Sequence, residues 1–218
     1  MRLKILSHRK KLKMHTAGEV FAVGGYPRSG TSMLSQLTSY LTDYYFDRNN
    51  VFPTSAGSIL HTHWDPAILR KDKTLYIVRD PIGCYTSCYS YYIGRGWGQP
   101  SGNLLRERKL CKINWIEHVE RANESGLHMV DYNKLLDLDP YTLERLANHV
   151  EAKPEWVKTV LELMADKHAS KPHRTDVKFR QIKESLQSNG GPLSEDNLTK
   201  LLAEELDFYR NWQFELGS

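Results

Sequence analysis

Short apolar runs rich in β-branched and aromatic residues alternate along this chain with longer stretches in which apolar residues recur every three or four positions. Glu19-Val20-Phe21-Ala22-Val23 has the first pattern and reads as a buried strand. Met33 to Leu41 has the second, with apolar residues at 33, 34, 37, 40 and 41, and reads as a helix. Ser58 to Trp64 reads as a short strand that closes at Asp65-Pro66. Thr74 to Arg79 reads as a second buried strand and stops at Asp80-Pro81, because proline cannot continue a central ladder. Pro81 suits the first turn of a helix with Asp80 as its N-cap, and that helix carries Cys84, Ser87, Cys88 and Tyr91. Leu127 to Tyr132 gives a third strand after Gly126.

Further helices are expected over Leu104 to Glu124, 140 to 150 and 154 to 168, with a last one running to about Trp212. Ser194 opens that last helix in a capping-box pattern, with Asn197 in place of the usual Glu. The first fifteen residues read as a short strand, Arg2 to Ser7, and then a basic turn or tail. Residues 42 to 53 read as a surface loop, 171 to 180 as a basic irregular segment, and Gly94 to Gly102 as a mobile glycine-rich loop or lid. No internal repeat is visible. Strands alternating with helices imply an α/β fold: one domain over residues 1–218, with a central, mainly parallel sheet flanked by helices.

At 218 residues, 40% hydrophobic and 26% charged, the chain has the make-up of a globular protein with a full core. A net charge of +4 suits an anionic small ligand and gives no reason to expect nucleic acid. No run is long and apolar enough for a membrane span. Cys84 and Cys88 stand one helical turn apart and Cys111 is separate, so the three read as reduced and structural, which favours the cytoplasm.

Candidate chemistry centres on Gly24-Gly25-Tyr26-Pro27-Arg28-Ser29-Gly30-Thr31-Ser32, between the first buried strand and its helix. A strand, a glycine-containing loop and a helix N-terminus together aim unpaired N–H groups and a positive dipole end at an anion. The ATP-type loop requires Gly-x-x-x-x-Gly-Lys-[Ser/Thr]. Gly25 and Gly30 have that spacing, but Thr31 stands where the lysine belongs, and the cation lies inside the loop at Arg28. Tyr26-Pro27-Arg28-Ser29-Gly30-Thr31-Ser32 resembles the 5′-phosphosulfate loop of the sulfotransferases that use 3′-phosphoadenosine 5′-phosphosulfate (PAPS). Tyr76-Ile77-Val78-Arg79-Asp80-Pro81, with Ser87 eight residues after Arg79, resembles the same family's 3′-phosphate motif. An Arg supplies a planar fork of donors for a phosphate, and a Ser adds a neutral one.

The resemblance implies the P-loop-like sulfotransferase fold and further site residues. His61-Thr62-His63 stands where cytosolic-type members carry Lys-Thr-His, which assigns the general base to His63 and puts His61 in place of the lysine. Imidazole titrates near neutral pH and suits proton abstraction. By itself, His-x-His is also half of a metal site, and Asp65, Asp43 and Asp47 remain alternative bases. Tyr132 matches an adenine-contacting tyrosine. Phe179-Arg180 matches the start of a segment that wraps the 3′-phosphate, with Lys178 or Arg174 as substitutes for its missing lysine. The family's adenine-stacking Trp is Met33 here.

The function so implied is metal-free, in-line sulfuryl transfer from PAPS to a hydroxyl or amine acceptor, releasing adenosine 3′,5′-bisphosphate (PAP). His63 and Arg28 are the catalytic candidates. Tyr26, Pro27, Arg28, Ser29, Gly30, Thr31, Ser32, Arg79, Ser87, Tyr132 and Arg180 are the nucleotide-binding candidates. The acceptor, a small molecule, a sugar or a peptide tyrosine, is expected in an open site lined by Tyr44, Tyr45, Phe46 and the 94–102 loop. A kinase-like nucleotide enzyme and a non-catalytic nucleotide-binding protein are the alternatives.

Overall fold

A computed structural model of the chain describes residues 3–5, 8–16, 18, 20–46, 51–53, 57–107, 110–170 and 192–217. Its elements run β1 (Leu3–Ile5), α1 (His8–Thr16), β2 (Val20–Gly25), α2 (Thr31–Leu41), β3 (Tyr45–Phe46), β4 (Val51–Pro53), β5 (Ser58–Thr62) and β6 (Thr74–Val78). There follow α3 (Pro81–Gly94), α4 (Trp115–Glu124), β7 (His128–Asp131), α5 (Tyr132–Leu136), α6 (Pro140–His149), α7 (Pro154–Ser170), α8 (Glu195–Leu201) and α9 (Ala203–Gly217).

All six residues of β2 and all five of β6 are buried, as continuous apolar runs require when a sheet is covered on both faces. The sheet has five parallel strands in the order β3-β5-β2-β6-β7. One face packs Val23, Leu34, Leu37, Ile59, Leu75, Ile77, Val130, Leu146 and Val157. The other packs Tyr26, Tyr76, Val78, Cys84, Cys88, Leu104, Trp115, Val119 and Tyr209. Helices therefore cover both faces, and the expected α/β architecture is the observed one. The register pairs Gly24 with Thr62, Gly25 with Ile77 and Val78 with Asp131, so β2, β5, β6 and β7 end side by side. In open parallel sheets, ligands bind along that carboxyl edge, where successive connections leave in opposite directions.

Five local expectations change. The basic run after β1 is a helix, not a turn. His15 holds it to the sheet, with Nδ1 donating to the Val20 carbonyl (3.0 Å) and Nε2 accepting from Arg70 N–H (2.9 Å). The helix expected from Leu104 begins only at Trp115, where the Asn114 side chain caps Glu117 N–H (2.8 Å). Tyr132 does not close the third strand but opens α5, because the Asp131 carboxylate accepts the N–H groups of Asn133 and Lys134. Ser194 stands at the N-cap of α8 without a side-chain capping bond, and Leu202 separates α8 from α9. The caps at Asp80, Asp131 and Asp139 follow the ordinary rule, each side-chain carboxylate satisfying N–H groups of a first turn. The stretch 42–53, expected as a surface loop, holds β3, which pairs with β5 at the edge of the sheet, and β4, which pairs antiparallel with β1.

Candidate active site

The loop after β2 is built half of core residues and half of residues that face the edge. Tyr26 is fully buried, and its hydroxyl donates to the Leu104 carbonyl (3.2 Å). Ser29 is also fully buried, beside the Cys84 thiol, and its N–H closes a turn on the Tyr26 carbonyl (3.1 Å). The Cys84 and Cys88 thiols both donate to the Pro27 carbonyl (3.5 Å each). These contacts pin the loop to α3 and leave Arg28, Gly30, Thr31 and Ser32 to shape the cradle.

Arg28 has φ 72° and Gly30 φ 98°, both left-handed, which folds the loop back over the start of α2. At Gly30 a Cβ would lie 2.6 Å from the Tyr132 ring, so any other residue would have to displace that ring. Gly25 is as constrained, since a Cβ there would meet the Ile77 carbonyl at 2.8 Å and Thr31 Oγ1 at 2.9 Å. No side chain caps α2, so its first-turn N–H groups present the dipole's positive end directly.

The second motif touches the first. Arg28 Nε donates to Ser87 Oγ (3.1 Å), and an Arg79 terminal nitrogen donates to the Arg28 carbonyl (3.4 Å). The Arg79 guanidinium lies 4.6 Å over the Tyr132 ring. Arg79 Nε and Thr31 Oγ1 are buried and have no hydrogen-bond partner among the described residues. Buried donors are ordinarily paired; Thr31 Oγ1 stands at the uncapped start of α2 and Arg79 Nε beside Gly83 in the first turn of α3, so the two orphans flank the loop and mark a place for an anion. The Asp80 carboxylate is engaged elsewhere and bonds to neither orphan: Oδ1 caps α3 at Gly83 N–H (2.6 Å) and Oδ2 accepts from Asn133 Nδ2 (3.1 Å).

His63 stands just past β5, beside the end of β2. Its Nδ1 donates to the Gly25 carbonyl (2.7 Å), which fixes the neutral tautomer with a lone pair on Nε2. Burial, reinforced by the Arg28 charge, lowers its pKa from the ordinary 6.5, against the opposing pull of the Gly25 carbonyl. His63 is thus held neutral, with its basic nitrogen unencumbered by the carbonyl. The His61 ring lies edge-on to it at 5.0 Å, and Phe46 lies edge-on to His61 at 6.4 Å. Among the described residues, no group of three or more His, Cys, Asp or Glu is placed to hold a metal ion. Asp65 pairs with Arg121 through Oδ2 and accepts Ala67 N–H at Oδ1 (3.1 Å), so both of its oxygens are engaged.

Tyr44 lies away from this edge. It packs on Phe21 (5.8 Å), and its hydroxyl accepts from Lys73 Nζ (3.4 Å) near the start of β6. On the loop's other flank Tyr91 has the Arg28 guanidinium at 5.3 Å and the Arg95 guanidinium at 5.0 Å from its ring centre, and the exposed Trp97 sits edge-on at 5.9 Å. Arg180, its substitutes Arg174 and Lys178, and Asp47 lie outside the described residues.

Sequence reading missed His118, which is fully buried. Its Nε2 donates to the His63 carbonyl (3.5 Å), and Nδ1 accepts from the Tyr76 hydroxyl. The signal was present, because His118 shares one helical face with Trp115, Val119 and Ala122.

No family model and no curated protein matches the chain. Among solved structures it is similar to mouse sulfotransferase SULT7A1 complexed with PAP, at 14% identity and a TM-score of 0.52, over 90% of this chain and 80% of that one. The chain therefore has the P-loop-like fold of the sulfotransferases. No helix among the described residues is long and apolar enough to cross a membrane.

Proposed function

We propose that the chain is a single sulfotransferase domain that moves a sulfuryl group from PAPS to an acceptor hydroxyl or amine. The observation that carries this is the convergence of Arg28, Ser87 and Arg79 beside the uncapped start of α2, with Thr31 Oγ1 and Arg79 Nε buried and without hydrogen-bond partners among the described residues. The fold it shares with a sulfotransferase that was solved with PAP supports the choice of nucleotide.

In this reading Thr31, Ser32 and the N–H groups of the first turn of α2 hold the 5′-phosphate. Arg79 and Ser87 hold the 3′-phosphate, with Arg180 as a further candidate, and Tyr132 supports the adenine side. His63 Nε2 takes the acceptor's proton as the acceptor oxygen or nitrogen bonds to sulfur. The bond from sulfur to the bridging oxygen breaks, and its electron pair leaves on the 5′-phosphate. Arg28 and the helix N-terminus stabilise that developing charge from fixed positions, which is the largest lever such a site has. The protein's own cations do this without a metal. Unpaired Cys84, Cys88 and Cys111 suit the reducing cytoplasm.

The test is calorimetric binding of PAP, ADP and ATP–Mg²⁺. PAP is expected to bind at least tenfold more tightly than the other two. Arg79→Ala should remove most of that preference, since one charge-assisted phosphate contact is worth about 1.5–3 kcal/mol. A preference for ATP–Mg²⁺ would instead make this a phosphoryl-transfer site.

A further inference from the structure

Tyr209 has no place in the chemistry, yet it is buried and its hydroxyl bonds to a residue 78 positions away. It donates to Asp131 Oδ2 at 2.8 Å. A buried hydroxyl is costly unless it is bonded, and phenylalanine would fill the same space. The hydroxyl therefore has a use, and the use is found by following Asp131.

Asp131 is the last residue of β7 and pairs in register with Val78, the residue before Arg79. Its Oδ1 accepts the N–H groups of Asn133 (2.8 Å) and Lys134 (3.1 Å), which starts α5 at Tyr132. The first turn of α5 then supplies two supports to the nucleotide site. The Tyr132 ring closes over Gly30 and lies under the Arg79 guanidinium at 4.6 Å. Asn133 Nδ2 holds Asp80 Oδ2 at 3.1 Å, directly beside Arg79. The Arg79 guanidinium thus rests on a residue of the capped turn, and Tyr209 is one of the groups that hold the cap's carboxylate. Burial and the Asp131 charge push the Tyr209 pKa up, so the hydroxyl stays a donor throughout any assay range.

We infer that Tyr209 is a positioning residue for 3′-phosphate recognition. From the carboxy-terminal helix it fixes Asp131, and through Tyr132 it fixes the guanidinium of Arg79. The inference rests on the nucleotide reading above and adds a residue to which no motif points.

The experiment compares two ligands that differ only in the 3′-phosphate, PAP and adenosine 5′-monophosphate, by calorimetry on the full chain. The readout is the ratio of their dissociation constants, because general destabilisation lowers the folded fraction for both ligands alike. Tyr209→Phe should reduce the ratio about fivefold, the effect of one lost hydrogen bond of ordinary strength. In an Arg79→Ala background the same change should leave the ratio within error. Leu206→Ala, on the same helix and packed against the same core but removing no hydrogen bond, should lower the melting temperature and leave the ratio unchanged. If the wild type lacks the preference for PAP, the nucleotide reading falls and this inference with it. If the wild type has the preference and Tyr209→Phe keeps it in full, the positioning role alone is overturned. The same holds if Leu206→Ala lowers the ratio as much.

Discussion

His118 makes the fold sensitive to acid through a group that also supports the candidate base. Burial lowers its pKa from 6.5 to about 4, because the charged imidazole would lose its hydration inside the core. In the unfolded chain it titrates at its ordinary value. Between those two values the unfolded state binds the extra proton, so stability falls as pH falls. At about 1.4 kcal/mol per pH unit, the span from 6.5 to 4 is worth about 3 kcal/mol, a large part of the ~5–15 kcal/mol a domain has. The assay is urea unfolding at several values between pH 7 and 4.5, on wild type and His118→Gln. His15, His63, His128 and His149 also have lowered pKa values, His128 to about 3, and act in the same direction in both proteins. Their contribution cancels in the comparison. The wild type should lose about 1 kcal/mol more per pH unit than the variant below pH 6. Parallel slopes would show that His118 is not the neutral buried group its contacts describe.

Three further outcomes are expected. Transfer should depend on a group with a pKa below 6.5, with kcat/KM flat above it and falling on acidification, since His63 must be neutral to accept a proton. His63→Ala should abolish turnover by about 10²–10⁴-fold with PAP affinity nearly unchanged, and a pH–rate midpoint above 7 would speak against His63 as the base. Gly30→Ala places a Cβ at φ 98° and 2.6 Å from the Tyr132 ring. The left-handed cost of about 1–2 kcal/mol should lower the melting temperature by about 3–6 °C, and moving Tyr132 should weaken PAP at least tenfold; unchanged binding would separate Tyr132 from the site.

The sheet strands, the loop after β2 and the Asp80–Pro81 helix start were legible because each depends on local chemistry: apolar runs, glycine spacing, a cap beside a proline. The partnership of Arg28 with Ser87 was not, because it spans 59 residues and no local pattern encodes it. The missing first half of the expected 104–124 helix has a comparable cause. Leu104 and Leu105 are both fully buried, and Leu104 also receives the Tyr26 hydroxyl, so tertiary demand overrides helical propensity there. Tyr132 was placed correctly in sequence but on the wrong element, since a strand-end Asp can equally begin a helix. The charged run at 8–13 reads as a tail because charge ordinarily goes with exposure, yet it lies within a helix in which Lys11 is buried.

Tyr26 has a consequence for how this site can be reused. It sits inside the nine-residue motif, yet it is fully buried and bonded to Leu104, and Ser29 beside it faces Cys84. The stretch that a motif search recognises is therefore partly interior. Grafted alone onto another strand and helix, it would arrive without the α3 thiols and the Leu104 carbonyl that hold its backbone in the left-handed bends at Arg28 and Gly30. The transferable unit is the loop together with α3 and the turn at Leu104, and only those pieces taken together would be expected to recreate the cradle in a new scaffold.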